Sequence, residues 1–133
     1  EEEVFFFFFL FKREIPKIYN YTCCISGMRI ESTLNLSMID ACHIVPFSES
    51  YDDTISNGIA LCPNLHRAFD RGLISIDDNY KVIISGNNIF REEFNDYSIR
   101  KFEGREILLP INSEYYPSQV NLEKHRSRTF QSN

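Results

Sequence analysis

The chain reads as an α+β domain whose centre is a small hairpin followed directly by a helix. Three observations predict this. Two short apolar runs, Ile39 to Val45 and Ile59 to Leu61, flank a polar stretch from Ser48 to Ser56. After the second run, Pro63 and Asn64 supply helix-start chemistry and Gly72 a stop. A further pair of strand-like runs, Leu73 to Ile76 and Lys81 to Ser85, brackets a turn signal at Asp77-Asp78-Asn79.

In chain order, residues 1–22 form an apolar lead-in and residues 23–133 the functional domain. The run Val4 to Phe11 is too short to span a bilayer, and its Glu1-Glu2-Glu3 start is unlike the basic start of a secretory signal. It is expected to be a strand or helix buried against this domain or a second copy. If it is exposed, it predicts a homodimer through this segment. Pro16 is expected to break any helix there or to mark its first turn. Leu34 to Leu36 reads as a short strand. Ile39 to Val45 is a strand ended by Pro46. The Ser48 to Ser56 loop has Asp52-Asp53 at its tip, and Asn57-Gly58 is a turn at the foot of the second strand. The helix opening at Pro63 or Asn64 carries Leu65, His66, Phe69 and Asp70, with His66 and Asp70 on one face. Gly86-Asn87-Asn88 is a turn, Ile107 to Leu109 a short strand, and Pro117 starts a last helix reaching about Arg128. No internal repeat is visible.

At 133 residues, 43% hydrophobic and 25% charged, the chain can bury one core without disulfide or metal staples. Its net charge of −5 runs against simple phosphate-backbone binding, and Glu31 to Asp53 holds no Lys or Arg. Nucleic-acid affinity would have to come from a local basic patch, a bound cation, a dimer or a further domain. The four cysteines, Cys23, Cys24, Cys42 and Cys62, read as reduced thiols of a cytoplasmic protein: adjacent Cys23-Cys24 pair poorly and no secretory signal is seen.

Three segments carry chemistry: Ala41-Cys42-His43-Ile44-Val45-Pro46; Asn57-Gly58-Ile59-Ala60-Leu61-Cys62-Pro63-Asn64; and His66-Arg67-Ala68-Phe69-Asp70-Arg71-Gly72-Leu73-Ile74. In this order they resemble the HNH endonuclease family, whose fold is the ββα-metal hairpin and helix. The resemblance begins near Tyr21-Thr22-Cys23. It extends to Pro117 to Phe130, where Leu122, His125, Arg126 and Phe130 look like the family's closing helix. It implies a metal-dependent endonuclease acting on double-stranded DNA, of the restriction or defence kind. His43 would take a proton from water, since a histidine's ordinary pKa lies near neutrality. His66 would hold a divalent cation, Mg²⁺ first and Mn²⁺ or Ni²⁺ as alternatives, to stabilise the leaving oxygen. Asn57 would tie the loop and so orient His43.

Each residue also has a structural reading. A histidine on an apolar strand is commonly a satisfied core residue, Asn57 before Gly58 is a turn former, and His66 could sit at the surface. Asp70 is a second metal-site candidate that could instead hold Arg67 or Arg71, or brace His66. Arg67 and Arg71 are candidate phosphate contacts on what is otherwise a solvated helix face.

Two departures from the family pattern stand out. Many members have Asp or His directly before the catalytic histidine; here it is Cys42, a soft donor poorly matched to Mg²⁺. Asp40 is a candidate ligand, but strand alternation places it on the face opposite His43 unless a bulge intervenes. Relatives often carry Cys-x-x-Cys pairs for structural zinc; here Ser26 and Leu65 replace one cysteine of each pair, leaving too few ligands, so no structural zinc is expected. The alternative function is a DNA-binding or interaction module that keeps the fold with weakened catalysis.

Overall fold

Helix α1 (Glu2–Ile18) is the first element of the computed structural model, which describes residues 2–34 and 36–132. Acidic Glu2 and Glu3 in its first turn and Lys17 in its last suit the helix dipole. Phe11 and Ile15, one turn apart, are fully buried, and Tyr19 follows them inward. Pro16 does not break the helix or start it; it sits in the last turn, where its missing N–H costs the helix one bond, to the Lys12 carbonyl. Asn20 and Tyr21, both with φ of 54°, then end the element. Only part of the apolar run is buried as expected: Phe6, Phe7 and Phe9 are more than half exposed. No helix among the described residues is long and apolar enough to cross a membrane.

Strand β1 (Asp40–His43) pairs antiparallel with β2 (Gly58–Leu61), in the register Asp40↔Leu61 to His43↔Gly58. The first strand is shorter than the sequence implies, because Ile44 and Val45 bend away toward the loop. Their backbone groups are taken up by Asn57 instead of a ladder: Ile44 N–H donates to the Asn57 carbonyl at 2.9 Å and Val45 N–H to its Oδ1 at 3.0 Å. A Cβ on Gly58 would fall 2.5 Å from Ile15 Cδ1 and 2.7 Å from the Phe11 ring, so glycine is what lets α1 lie against the hairpin. The Ser48 to Ser56 segment is not plain loop. It holds a one-turn helix, α2 (Phe47–Ser50), and a 3-10 turn at Ile55–Asn57.

Helix α3 (Pro63–Asp70) starts on proline and buries Leu65, Ala68 and Phe69. It ends in a Schellman closure, with Leu73 N–H on the Ala68 carbonyl (2.9 Å) and Gly72 N–H on that of Phe69 (3.1 Å). Gly72 has φ of +75°, and a Cβ there would meet the Thr129 carbonyl at 2.1 Å, so glycine is required twice over. Strands β3 (Ile74–Ile76) and β4 (Val82–Ile84) form a second antiparallel hairpin. The expected strand at Ile107 to Leu109 is extended backbone without a ladder. Ile107 N–H bonds the Tyr80 carbonyl and Leu108 N–H that of Cys24, joining the two halves of the molecule. The expected strand at Leu34 to Leu36 includes Asn35, outside the described residues; Leu34 is in a turn and Leu36 is irregular. Helix α4 (Gln119–Arg128) is capped by Ser118, whose hydroxyl accepts from Asn121 N–H. One buried cluster joins Phe11, Ile59, Leu65, Phe69, Ile76 and Leu122, so the lead-in helix and the closing helix share a core with both hairpins.

His125 fastens α4 to that core. Its Nε2–H donates to the Phe69 carbonyl at 2.9 Å and its Nδ1 accepts from the Ser75 hydroxyl at 2.6 Å, while the ring stacks on Phe69 at 3.7 Å. Burial pushes its pKa down to about 4. The folded state therefore disfavours the proton that the unfolded chain takes up near pH 6.5. Stability from this group is complete above pH 6.5 and is lost as pH falls toward 4, by about 3 kcal/mol in all at 1.36 kcal/mol per unit. Urea denaturation of wild type and His125→Gln across pH 7 to 4 checks this. The wild type should lose more stability than the variant, by close to one proton's slope, and equal slopes would refute it.

Candidate active site

Three sequence elements meet at one cleft of about 310 Å³, lined by His43, Pro46, Phe47, His66, Asp70 and His125 among others. A larger groove, about 720 Å³, runs along α1 from Glu3 to Glu14, but its lining includes neither His66 nor Asp70.

His43 ends β1. Its ring lies parallel to that of Phe11, 3.9 Å between centroids and 8° between planes, with Phe8 and Phe47 at its rim. Its Nε2 is 2.8 Å from Asp53 Oδ1, and both side chains are largely buried, 15% and 6% exposed. Asp53 was legible only as the tip of a polar loop, and the structure turns it inward. The available signal was the acidic pair Asp52-Asp53 placed shortly before Asn57. The rings of Phe8, Phe11 and Phe47 around His43 had no sequence signal beyond their apolar character.

Asn57 is completely buried. Its Oδ1 accepts from Val45 N–H, and its Nδ2 donates to the carbonyls of Val45 (3.1 Å) and Asp52 (2.9 Å). One amide thus ties the exit of the His43 strand to the loop that carries Asp53.

His66 stands on α3 with a carboxylate at each nitrogen: Asp40 Oδ2 at 2.8 Å from Nδ1 and Asp70 Oδ2 at 3.2 Å from Nε2. Asp70 first and Asp40 with it, against the opposing effect of partial burial, push the imidazole pKa up to about 9. Asp40 reaches His66 from the face of β1 opposite His43, with no bulge in the Asp40–His43 ladder. Asp70 holds neither arginine in an ion pair among the described residues. It pairs with His66 and accepts from the Cys42 thiol at 3.7 Å. Cys42, His66 and Asp70 each offer a donor atom within 4.8 Å of the others. Arg67 and Arg71 are both exposed, on and just after α3.

The four cysteines are free and buried. Ser26 N–H donates to Cys23 Sγ at 3.3 Å, and the Cys62 thiol donates to Asn64 Oδ1 at 2.9 Å.

Residues 23–77 match the family model for HNH endonucleases. That HNH segment takes in the first hairpin, the loop with Asp53 and Asn57, and α3 with His66 and Asp70. The chain is also similar to a solved structure titled "Modification dependent TagI restriction endonuclease", with a TM-score of 0.64 and 22% identity over 91% of this chain. At that identity the likeness establishes the fold, an HNH-type α+β arrangement, as the sequence predicts. The chain spans 38% of the length of that neighbour. No curated protein matches it.

Proposed function

We propose that the chain is a metal-dependent DNA endonuclease of the HNH type, the catalytic unit of a restriction or defence enzyme. The observation that carries this is the shared cleft: it is lined by His43, with one nitrogen engaged, and by His66 and Asp70, with Asp40 behind His66 on its other nitrogen.

The donor set fits a hard divalent cation. It offers His66 Nε2 with the Asp70 carboxylate beside it, while Asp40 holds the opposite nitrogen, and the exposed Asp70 leaves room for the waters that Mg²⁺ or Mn²⁺ retains. The Cys42 thiol is fully buried and its pKa is driven well up by desolvation and then by Asp70, so it stays protonated and serves as a donor to Asp70. When bound, the cation supplies charge stabilisation for the leaving oxygen. His66 must give up its Nε2 proton to serve as a ligand there; Asp70, which now accepts that proton, is the carboxylate that would share the cation, and Asp40 would keep the Nδ1–H and orient the ring.

His43 takes the proton as a water O–H bond breaks; the water oxygen's electron pair forms the new P–O bond, and the 3′ P–O bond breaks with its pair on the departing oxygen. Arg67 and Arg71, exposed on and just after α3, would meet backbone phosphates of double-stranded DNA and offset the acidic balance of the chain.

The test is conversion of supercoiled plasmid to the nicked form with Mg²⁺ or Mn²⁺ and with EDTA, beside calorimetric titration of the metal into wild type and His66→Ala. Metal-dependent nicking, with binding lost in the variant, is expected. DNA binding with no nicking under any divalent metal would favour the alternative, a binding module on the same fold.

A further inference from the structure

We propose that Asp53 is the positioning residue for His43, holding it as the Nε2–H tautomer and thereby making Nδ1 the nitrogen that receives the proton. This rests on the nuclease reading above and deepens it. An ionised carboxylate only accepts hydrogen bonds, so the 2.8 Å contact to Asp53 Oδ1 requires the hydrogen on His43 Nε2. In the neutral ring the lone pair then lies on Nδ1.

The placement is firmly determined from both sides. The imidazole is pinned flat on Phe11 at 3.9 Å, so it cannot readily turn to exchange its nitrogens. Asp53 is 6% exposed, and the residue before it is anchored twice. The Asp52 carbonyl accepts from Asn57 Nδ2 at 2.9 Å, and Asp52 Oδ1 accepts from Thr54 N–H at 2.9 Å and from its hydroxyl at 2.6 Å. The Asp52-Asp53 pair is therefore divided: the first acid folds the loop and the second meets the histidine.

The contrast with His66 separates the two histidines by role. His66 has a carboxylate on each nitrogen and no free lone pair until a proton leaves; His43 has a carboxylate on one nitrogen alone among the described residues. The first arrangement holds a cation, and the second makes a base. When Nδ1 takes a proton, the ring becomes an imidazolium with the Asp53 carboxylate already in place to stabilise it. A buried acid that fixes the tautomer in this way is worth on the order of 10⁴ in rate where it has been replaced by its amide in a Ser-His-Asp triad.

Nitrogen-15 NMR of histidine-labelled protein without metal, at a pH where the ring is neutral, reads the tautomer directly; the His43 signals are assigned by their loss in His43→Ala. Wild type should show Nε2 protonated and Nδ1 bare. Asp53→Asn, of nearly the same shape, offers an N–H to Nε2 and should move the hydrogen to Nδ1, with nicking reduced at least about 10²-fold. Asp53→Glu should restore the wild-type tautomer and part of the rate. A wild-type ring with Nδ1 protonated overturns the proposal. So does an Asp53→Asn protein that is folded by circular dichroism and nicks like wild type. If wild type nicks no plasmid under any divalent metal, the nuclease reading fails separately, and the NMR pattern still decides whether Asp53 sets the tautomer.

Discussion

His43→Ala is expected to reduce plasmid nicking by about 10²–10⁴-fold, the range a positioned general base supplies. His43 sits at the end of β1 in the cleft that also contains His66 and Asp70, and its Nε2 is committed to Asp53. Removing the ring leaves no other imidazole able to replace it, since His66 is clasped by two acids and His125 is bonded at both nitrogens. The substitution also removes a ring stacked on Phe11, a loss of about 0.5–1.5 kcal/mol beyond the buried area, so the variant should fold with a lowered melting temperature. Calorimetric titration makes the test specific. Mn²⁺ binding should persist in His43→Ala, because the candidate ligands His66 and Asp70, and Asp40 behind them, are untouched, whereas His66→Ala should lose binding and nicking together. A folded His43→Ala protein that nicks at the wild-type rate would remove His43 from the chemistry.

The central hairpin and helix were legible because local signals agree there. Apolar runs, an Asn-Gly turn, a proline start and a glycine stop all point to the same elements, and His43, Asn57 and His66 lie within them. What was not legible depends on contacts distant in sequence. Asp53 in a run of polar residues reads as solvated; it is buried because α1 brings Phe11 against His43 and the loop folds back over the ring. Pro16 reads as a helix breaker, but tertiary packing of Phe11 and Ile15 carries the helix past it. Strand alternation correctly separates Asp40 from His43 onto opposite faces. What alternation alone does not reveal is that α3 places His66 within reach of Asp40. The polar loop also conceals α2, a single turn with too little periodicity to read.

Asn57→Ala should destabilise the protein by roughly 3–5 kcal/mol, since it leaves a buried N–H and two carbonyls without their partner at about 1–3 kcal/mol each, partly offset by local relaxation. The informative comparison is Asn57→Asp. If position 57 needed only a turn former before Gly58, aspartate would serve nearly as well as asparagine. In the structure it cannot. A carboxylate can accept from Val45 N–H, but it cannot donate to the Val45 and Asp52 carbonyls, and it would place negative charge against both in a site with no solvent access. Asn57→Asp should therefore be destabilised about as much as Asn57→Ala in urea denaturation at neutral pH. Both should lose nicking even at temperatures where they remain folded, because the amide links the strand end after His43 to the loop before Asp53. An Asn57→Asp protein within about 0.5 kcal/mol of wild type, the scatter of an ordinary surface change, would reduce Asn57 to a turn residue. It would also detach the loop's geometry from the orientation of His43.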